Sequence, residues 1–113
     1  MSLEYASEHV TAAVKTLATS ESPLQERLQI AWDNDVQMLW MTPCLTRDLL
    51  REFREFWRRY TEPSNDRTAT KLRHLTRDEL DESIDELIDL AARIIVAAHS
   101  SLDESLVTLA DLA

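Results

Sequence analysis

Two pairs of carboxylates pose the first chemical question. Glu52 and Glu55 stand three residues apart, and so do Glu86 and Asp89. On a helix that spacing puts both members of a pair on one face. Two such faces brought together could hold Mg²⁺ with its waters and a substrate phosphate, because this ion takes hard oxygen ligands and few carboxylates. A second set is Arg47, Arg51, Arg54 and Arg58, at steps of four, three and four. They form one helical stripe, able to neutralise nucleic-acid phosphates, with Trp57 or Tyr60 as a stacking surface. Other reactive types are scattered. Cys44 has no histidine near it in sequence, and His9, His74 and His99 form no Glu-x-x-His ligand pair. The sequence assigns no catalytic residue and implies no cofactor.

Each set also has a plainer use. Asp48, Glu52 and Glu55 are interleaved with the arginines at i+3 and i+4 spacing, which predicts ordinary intrahelical ion pairs. Glu82, Glu86 and Asp89 lie opposite the line Leu80-Ile84-Leu87-Ala91, so they are expected to face water, and Arg51, Arg58 and Arg59 would compete with a cation at Glu55. The formal net charge of −9 repels a polyanion at long range, which disfavours nucleic acid as a partner.

The elements that carry these residues are helical by pattern. Leu3, Val10, Val14 and Leu17 share a stripe over residues 3–18, with Ala6 and Ala13 beside it. Ser22, Pro23 and Gln25 read as an N-cap, a first-turn proline and a capping box. Leu24, Leu28, Trp32, Val36 and Leu39 then continue a second helix over 23–41, which Pro43 stops. Thr46 is positioned to cap a third helix over 46–60, with Leu49, Leu50, Phe53, Phe56, Trp57 and Tyr60 as its apolar positions. Residues 61–66 read as a loop, and Leu72 and Leu75 as anchors for the link that follows. Thr76 and Glu79 make a second capping box. It opens a fourth helix over 77–99, with Leu80, Ile84, Leu87, Ala91, Ile94 and Ala98 as a seam and Ile88 and Ile95 as a second line. Leu102, Leu106 and Leu109 fit a further helical extension.

Composition agrees. The 113 residues include no glycine, three prolines and one cysteine, with 44% apolar and 29% charged. Absence of glycine excludes the Walker loop and the dinucleotide fingerprint, and disfavours tight hairpins. One domain spanning 1–113 is expected at this length. A single cysteine permits no intrachain disulfide. The longest uncharged stretch, residues 36–46, is far short of the ~20 residues that span a bilayer. Glu4 and Glu8 near the N-terminus are unlike a signal peptide, so a cytoplasmic location is expected and no membrane association. Charge is segregated: residues 1–40 carry −4, residues 41–77 carry +4 and residues 78–113 carry −9.

Two resemblances add expectations. Glu52-Phe-Arg-Glu55 and Glu86-Leu-Ile-Asp89 on successive helices resemble the paired acidic helices of MazG-like all-α nucleotide pyrophosphohydrolases. That resemblance implies Glu52, Glu55, Glu86 and Asp89 as Mg²⁺ ligands. The run Pro23-Leu-Gln-Glu-Arg-Leu28, then Ala31-Trp32, LLREFREFWRRYT from Leu49 to Thr61, and Leu75-Thr76 before Leu80–Val96 resembles a group of short bacterial all-helical proteins. It spans about residues 22–96 and implies a fold, not a chemistry.

The expectation is therefore an all-α, antiparallel bundle of four main helices with a C-terminal helical extension. Six of the seven aromatics fall between Trp32 and Tyr60, and three tryptophans are many for so small a core. A non-enzymatic interaction or regulatory module, self-associating as a homodimer or binding a protein partner, fits best. Trp40, Ile88, Ile95, Leu102 and Leu106 are its expected contact residues. A Mg²⁺-dependent, nucleotide-directed enzyme is the alternative, and nucleic-acid binding through the arginine stripe is the third.

Overall fold

A computed structural model of the chain describes residues 2–61 and 71–99 and the backbone of 106–107. Four helical rods dominate it. The first is α1 (Leu3–Thr19), capped by the Ser2 hydroxyl, which accepts from the Tyr5 N–H at 3.3 Å. The second is continuous but not uniform: α2 (Leu24–Ala31), a π-helical turn (Trp32–Val36) and α3 (Gln37–Met41). Then come the short strand β1 (Leu45–Thr46), α4 (Arg47–Tyr60), a 3₁₀ turn (Leu72–His74), α5 (Arg77–Ala98) and the short strand β2 (Leu106–Val107). The all-α class holds, with helix bounds within a residue or two of those expected.

The first rod's buried face is Ala6, Val10, Ala13 and Leu17, with Leu3 and Val14 only partly covered. It is turned toward the alanines because small side chains let neighbouring backbones approach, and α1 packs on both α5 and α2. In the second rod the π turn resolves a conflict written in the sequence. Asp35 lies seven residues after Leu28, so a regular helix would return it to the buried stripe. An i→i+5 turn takes one more residue to come round. It leaves Asp35 on the flank and seats Val36, 1% exposed, in the core with Leu28, Trp32 and Leu39.

Four expectations need correction. Ser22 and Gln25 form no capping box. Pro23 precedes the first helical residue without a side-chain cap, and the Gln25 amide instead donates to the Leu72 carbonyl at 2.6 Å, tying the 3₁₀ turn to α2. Thr46 gives no side-chain cap to α4, because it is buried in β1. β1 pairs antiparallel with β2, Leu45 opposite Val107 and Thr46 opposite Leu106, so Leu106 lies in extended backbone rather than a helical extension. The pairing joins segments distant in sequence and needs no glycine turn. Finally, the α5 seam is rotated. Ser83 and Leu90 are buried beside Leu80, Leu87, Ala91 and Ile94, while Ile84 and Ala98 sit at its edge. A serine fits there because its Oγ donates to the Leu80 carbonyl at 2.7 Å and leaves no buried polar atom unmet. Leu102 lies outside the described residues.

The Thr76–Glu79 capping box is formed in both directions, with the Thr76 hydroxyl accepting from the Glu79 N–H and the Glu79 carboxylate from the Thr76 N–H. Leu72 is fully buried and Leu75 partly so, as their anchoring role requires. No helix among the described residues is long and apolar enough to cross a membrane.

Candidate functional site

Packing of α4 on α5 brings the acidic pairs together. Glu52, Glu55, Glu86 and Asp89 line one groove of about 160 Å³, floored by Phe56 and Leu90. The expectation that Glu86 faces open water is thus corrected: its side chain is 26% exposed and points into the seam between helices. Leu90, buried on the rotated α5 face, explains why. That rotation swings Glu86 toward α4.

Two arginines straddle the same groove. Arg59 places Nη1 2.5 Å from Glu86 Oε1 and Nη2 4.0 Å from Glu55. Arg93 bridges Glu52 of α4 and Asp89 of its own helix, the latter at 2.8 Å. The two carboxylates and their charges hold the Arg93 guanidinium above its ordinary pKa, the Glu52 hydrogen bond contributing most. From the core side, the Tyr60 hydroxyl donates to Glu86 Oε2 at 3.3 Å. Burial, then the Glu86 charge and this hydrogen bond, push the Tyr60 phenol up to about 12, with Glu82 adding to the shift and Arg59 opposing it. Every candidate metal ligand therefore has a guanidinium neighbour. Among the described residues no three His, Cys, Asp or Glu side chains are placed to share an ion.

The arginine stripe is different. Arg47, Arg51 and Arg58 are exposed and Arg54 is half-buried, on the flank of α4 away from α5. Arg47 is engaged. The intrahelical pairs expected for the others do not form: among the described residues Arg51, Arg54 and Arg58 have no ion pair. Glu52 and Glu55 turn toward Arg93 and Arg59 instead.

Aromatic side chains fill the space behind these helices. Trp32, 1% exposed, stacks on Trp57 at 5.1 Å and meets Phe56 at 5.3 Å. Trp40 is half-buried and lies nearly flat on Trp57, with centroids 4.7 Å apart and planes at 12°. Ile88 is 45% and Val96 70% exposed, with Ile95 partly covered between them. Cys44 is fully buried, and that burial raises its thiol to about 11, which keeps it protonated at neutral pH.

One polar contact escaped the sequence. His9 Nδ1 lies 2.8 Å from Asp35 Oδ1, with the Tyr5 ring edge-on to the imidazole at 4.6 Å. Its signal was present: an acidic residue on an apolar stripe requires a partner. A second groove, of about 470 Å³, lies beside α2, between Gln25, Glu26, Gln29, Ile30 and Arg73.

No family model, curated protein or solved structure matches the chain.

Proposed function

We propose that the chain is a non-enzymatic helical interaction module that associates with itself. The observation that carries this is the apolar strip on the solvent side of α5. Ile88 and Val96 are exposed, and Ile84 and Ile95 are only partly covered alongside them. Single exposed apolar residues need no explanation, but four on one helix side make a patch that a partner surface can cover. Burying an isoleucine or valine fully contributes about 1.5–3 kcal/mol. Trp40, held flat by Trp57, offers a rigid edge of the type enriched at interfaces. The short links between the first three rods favour antiparallel neighbours.

Sedimentation velocity at micromolar concentration tests this. Wild type should sediment as a dimer and Ile88→Asp/Val96→Asp as a monomer with unchanged helical circular dichroism. A wild type that stays monomeric would falsify self-association.

The convergence of four carboxylates favours one second reading, a Mg²⁺-dependent enzyme of the pyrophosphohydrolase type. It requires the metal to displace Arg59 and Arg93 from their carboxylates. Calorimetry with millimolar Mg²⁺ decides: binding heat abolished by Glu86→Gln supports it, and absence of heat removes it.

A further inference from the structure

We infer that the outer flank of α4 docks against the acidic flank of α5 in a second copy of this chain, a geometry that rests on the self-association proposed above. The carrying observation is a pair of unmatched charge strips. Arg51, Arg54 and Arg58 have no ion-pair partner among the described residues, and neither do the exposed Asp78, Glu82 and Asp85. Both sets are confined to one helix side. Each extends over seven residue steps, about 10 Å at 1.5 Å per residue.

The spacing matches in one direction only. Arg58, Arg54 and Arg51 follow steps of four and three, as do Asp78, Glu82 and Asp85. With the helices antiparallel across the interface, Arg58 faces Asp78, Arg54 faces Glu82 and Arg51 faces Asp85. Within one chain the strips cannot meet, because α4 presents its other flank to α5, where Glu52 and Arg59 meet Arg93 and Glu86. Among the described residues, then, neither strip meets its complement. Each copy carries both halves, so a two-fold pair matches both strips at once. Ile88 follows Asp85 by three residues, so the same docking covers the apolar strip of α5.

Net charge opposes association but does not decide it. Two chains at −9 repel, yet the smallest dimension of the molecule is 21 Å, which keeps the two centres far apart. The Debye length at physiological salt is about 8 Å, so that repulsion is largely screened while contact pairs are not. A nucleic acid on the arginine strip would leave the acidic strip unmatched and add polyanion repulsion.

Charge-swap complementation tests the geometry. One variant carries Arg54→Glu and the other Glu82→Lys, and sedimentation and circular dichroism are measured for each alone and for their equimolar mixture. Each variant alone should dimerise at least about tenfold more weakly than wild type, with its helix signal intact, and the mixture should recover wild-type affinity. The triple variants Arg51→Glu/Arg54→Glu/Arg58→Glu and Asp78→Lys/Glu82→Lys/Asp85→Lys should be monomeric alone and dimeric together. If wild type dimerises but the single variants dimerise equally well, or their folded mixture stays weak, this docking is wrong while self-association stands. A monomeric wild type removes both.

Discussion

Tyr60 shows how one side chain can report the state of a whole groove. Its hydroxyl gives its proton to a hydrogen bond with Glu86, and its ring is almost wholly buried against Trp32 and Phe56. Burial and the adjacent carboxylate both disfavour the phenolate, lifting the phenol from 10 to about 12. The folded state therefore binds this proton more tightly than the unfolded chain does. The resulting stabilisation is complete below pH 10 and is lost as pH rises through about 12. In a Tyr5→Phe background, the phenolate absorbance at 295 nm should titrate near 12 in the folded protein. Glu86→Gln should bring the midpoint down toward 10 by removing the charge, with the ring still buried. A midpoint that ignores Glu86 would show that burial alone sets it. Alkaline unfolding of Tyr60→Phe should correspondingly begin at higher pH than that of wild type.

Among the elements, α5 depends on its first turn and the second rod on its irregular one. The reciprocal cap at Thr76 satisfies two N–H groups that have no partner within the helix. Thr76→Ala should cost about 0.5–2 kcal/mol in urea denaturation, the usual range for a lost N-cap. The backbone and hydroxyl of Thr76 hold the Glu79 carboxyl below its ordinary 4.5. Its contribution is thus present above pH 4.5 and fades as pH falls through the lower folded value, and Glu79→Gln should flatten that acid limb. In the second rod, the π turn places Asp35 where His9 can meet it. His9→Ala would leave that carboxylate part-buried and unpaired, and should cost about 1–3 kcal/mol. A loss within 0.3 kcal/mol would mean that solvent replaces the imidazole without penalty. These two elements also mark how far sequence alone reaches. The Thr76-x-x-Glu79 signature is local, both partners lie within one turn, and it was legible. Gln25 and Thr46 carried equally good local signals and lost to distant partners, the Leu72 carbonyl and the β2 backbone. The π turn was not read, because the apolar steps from Leu24 to Leu39 suit one regular helix and only the position of Asp35, seven residues after Leu28, signals the irregularity. The acidic pairs were legible as pairs, whereas their meeting in one groove was not. It depends on the rotation of α5 set by Ser83 and Leu90, which periodicity read one step off.

For the molecule as a whole, the aromatic cluster joins elements that charge alone would leave loosely attached. Cross-helix ion pairs such as Arg59–Glu86 and Arg93–Glu52 are half-exposed, and pairs of that kind contribute about 0–1 kcal/mol each. Trp32 works on a different scale. It comes from the π turn, is 1% exposed, and touches three rings of α4 in Phe56, Trp57 and Tyr60. Its removal empties a large volume between two rods that cannot collapse without moving both. Trp32→Ala should therefore cost about 3–5 kcal/mol, a large share of the roughly 5–15 kcal/mol typical of a domain. Trp40 lies flatter on Trp57 than Trp32 does, at 12° against 25°, but it is only half-buried, so its truncation opens a space at the surface that water can fill. Trp40→Ala should cost well under half as much. Guanidinium denaturation followed by circular dichroism separates the two: the Trp32→Ala midpoint falls sharply at unchanged slope, and the Trp40→Ala midpoint falls little. The same pair of variants distinguishes fold from interface. If Trp40 contributes to self-association, Trp40→Ala weakens the dimer more than it weakens the monomer, while Trp32→Ala weakens both through the monomer. Equal losses of stability from the two truncations would place the cluster's centre at Trp57 rather than Trp32, and the second rod would then be held mainly by Leu28, Val36 and Leu39.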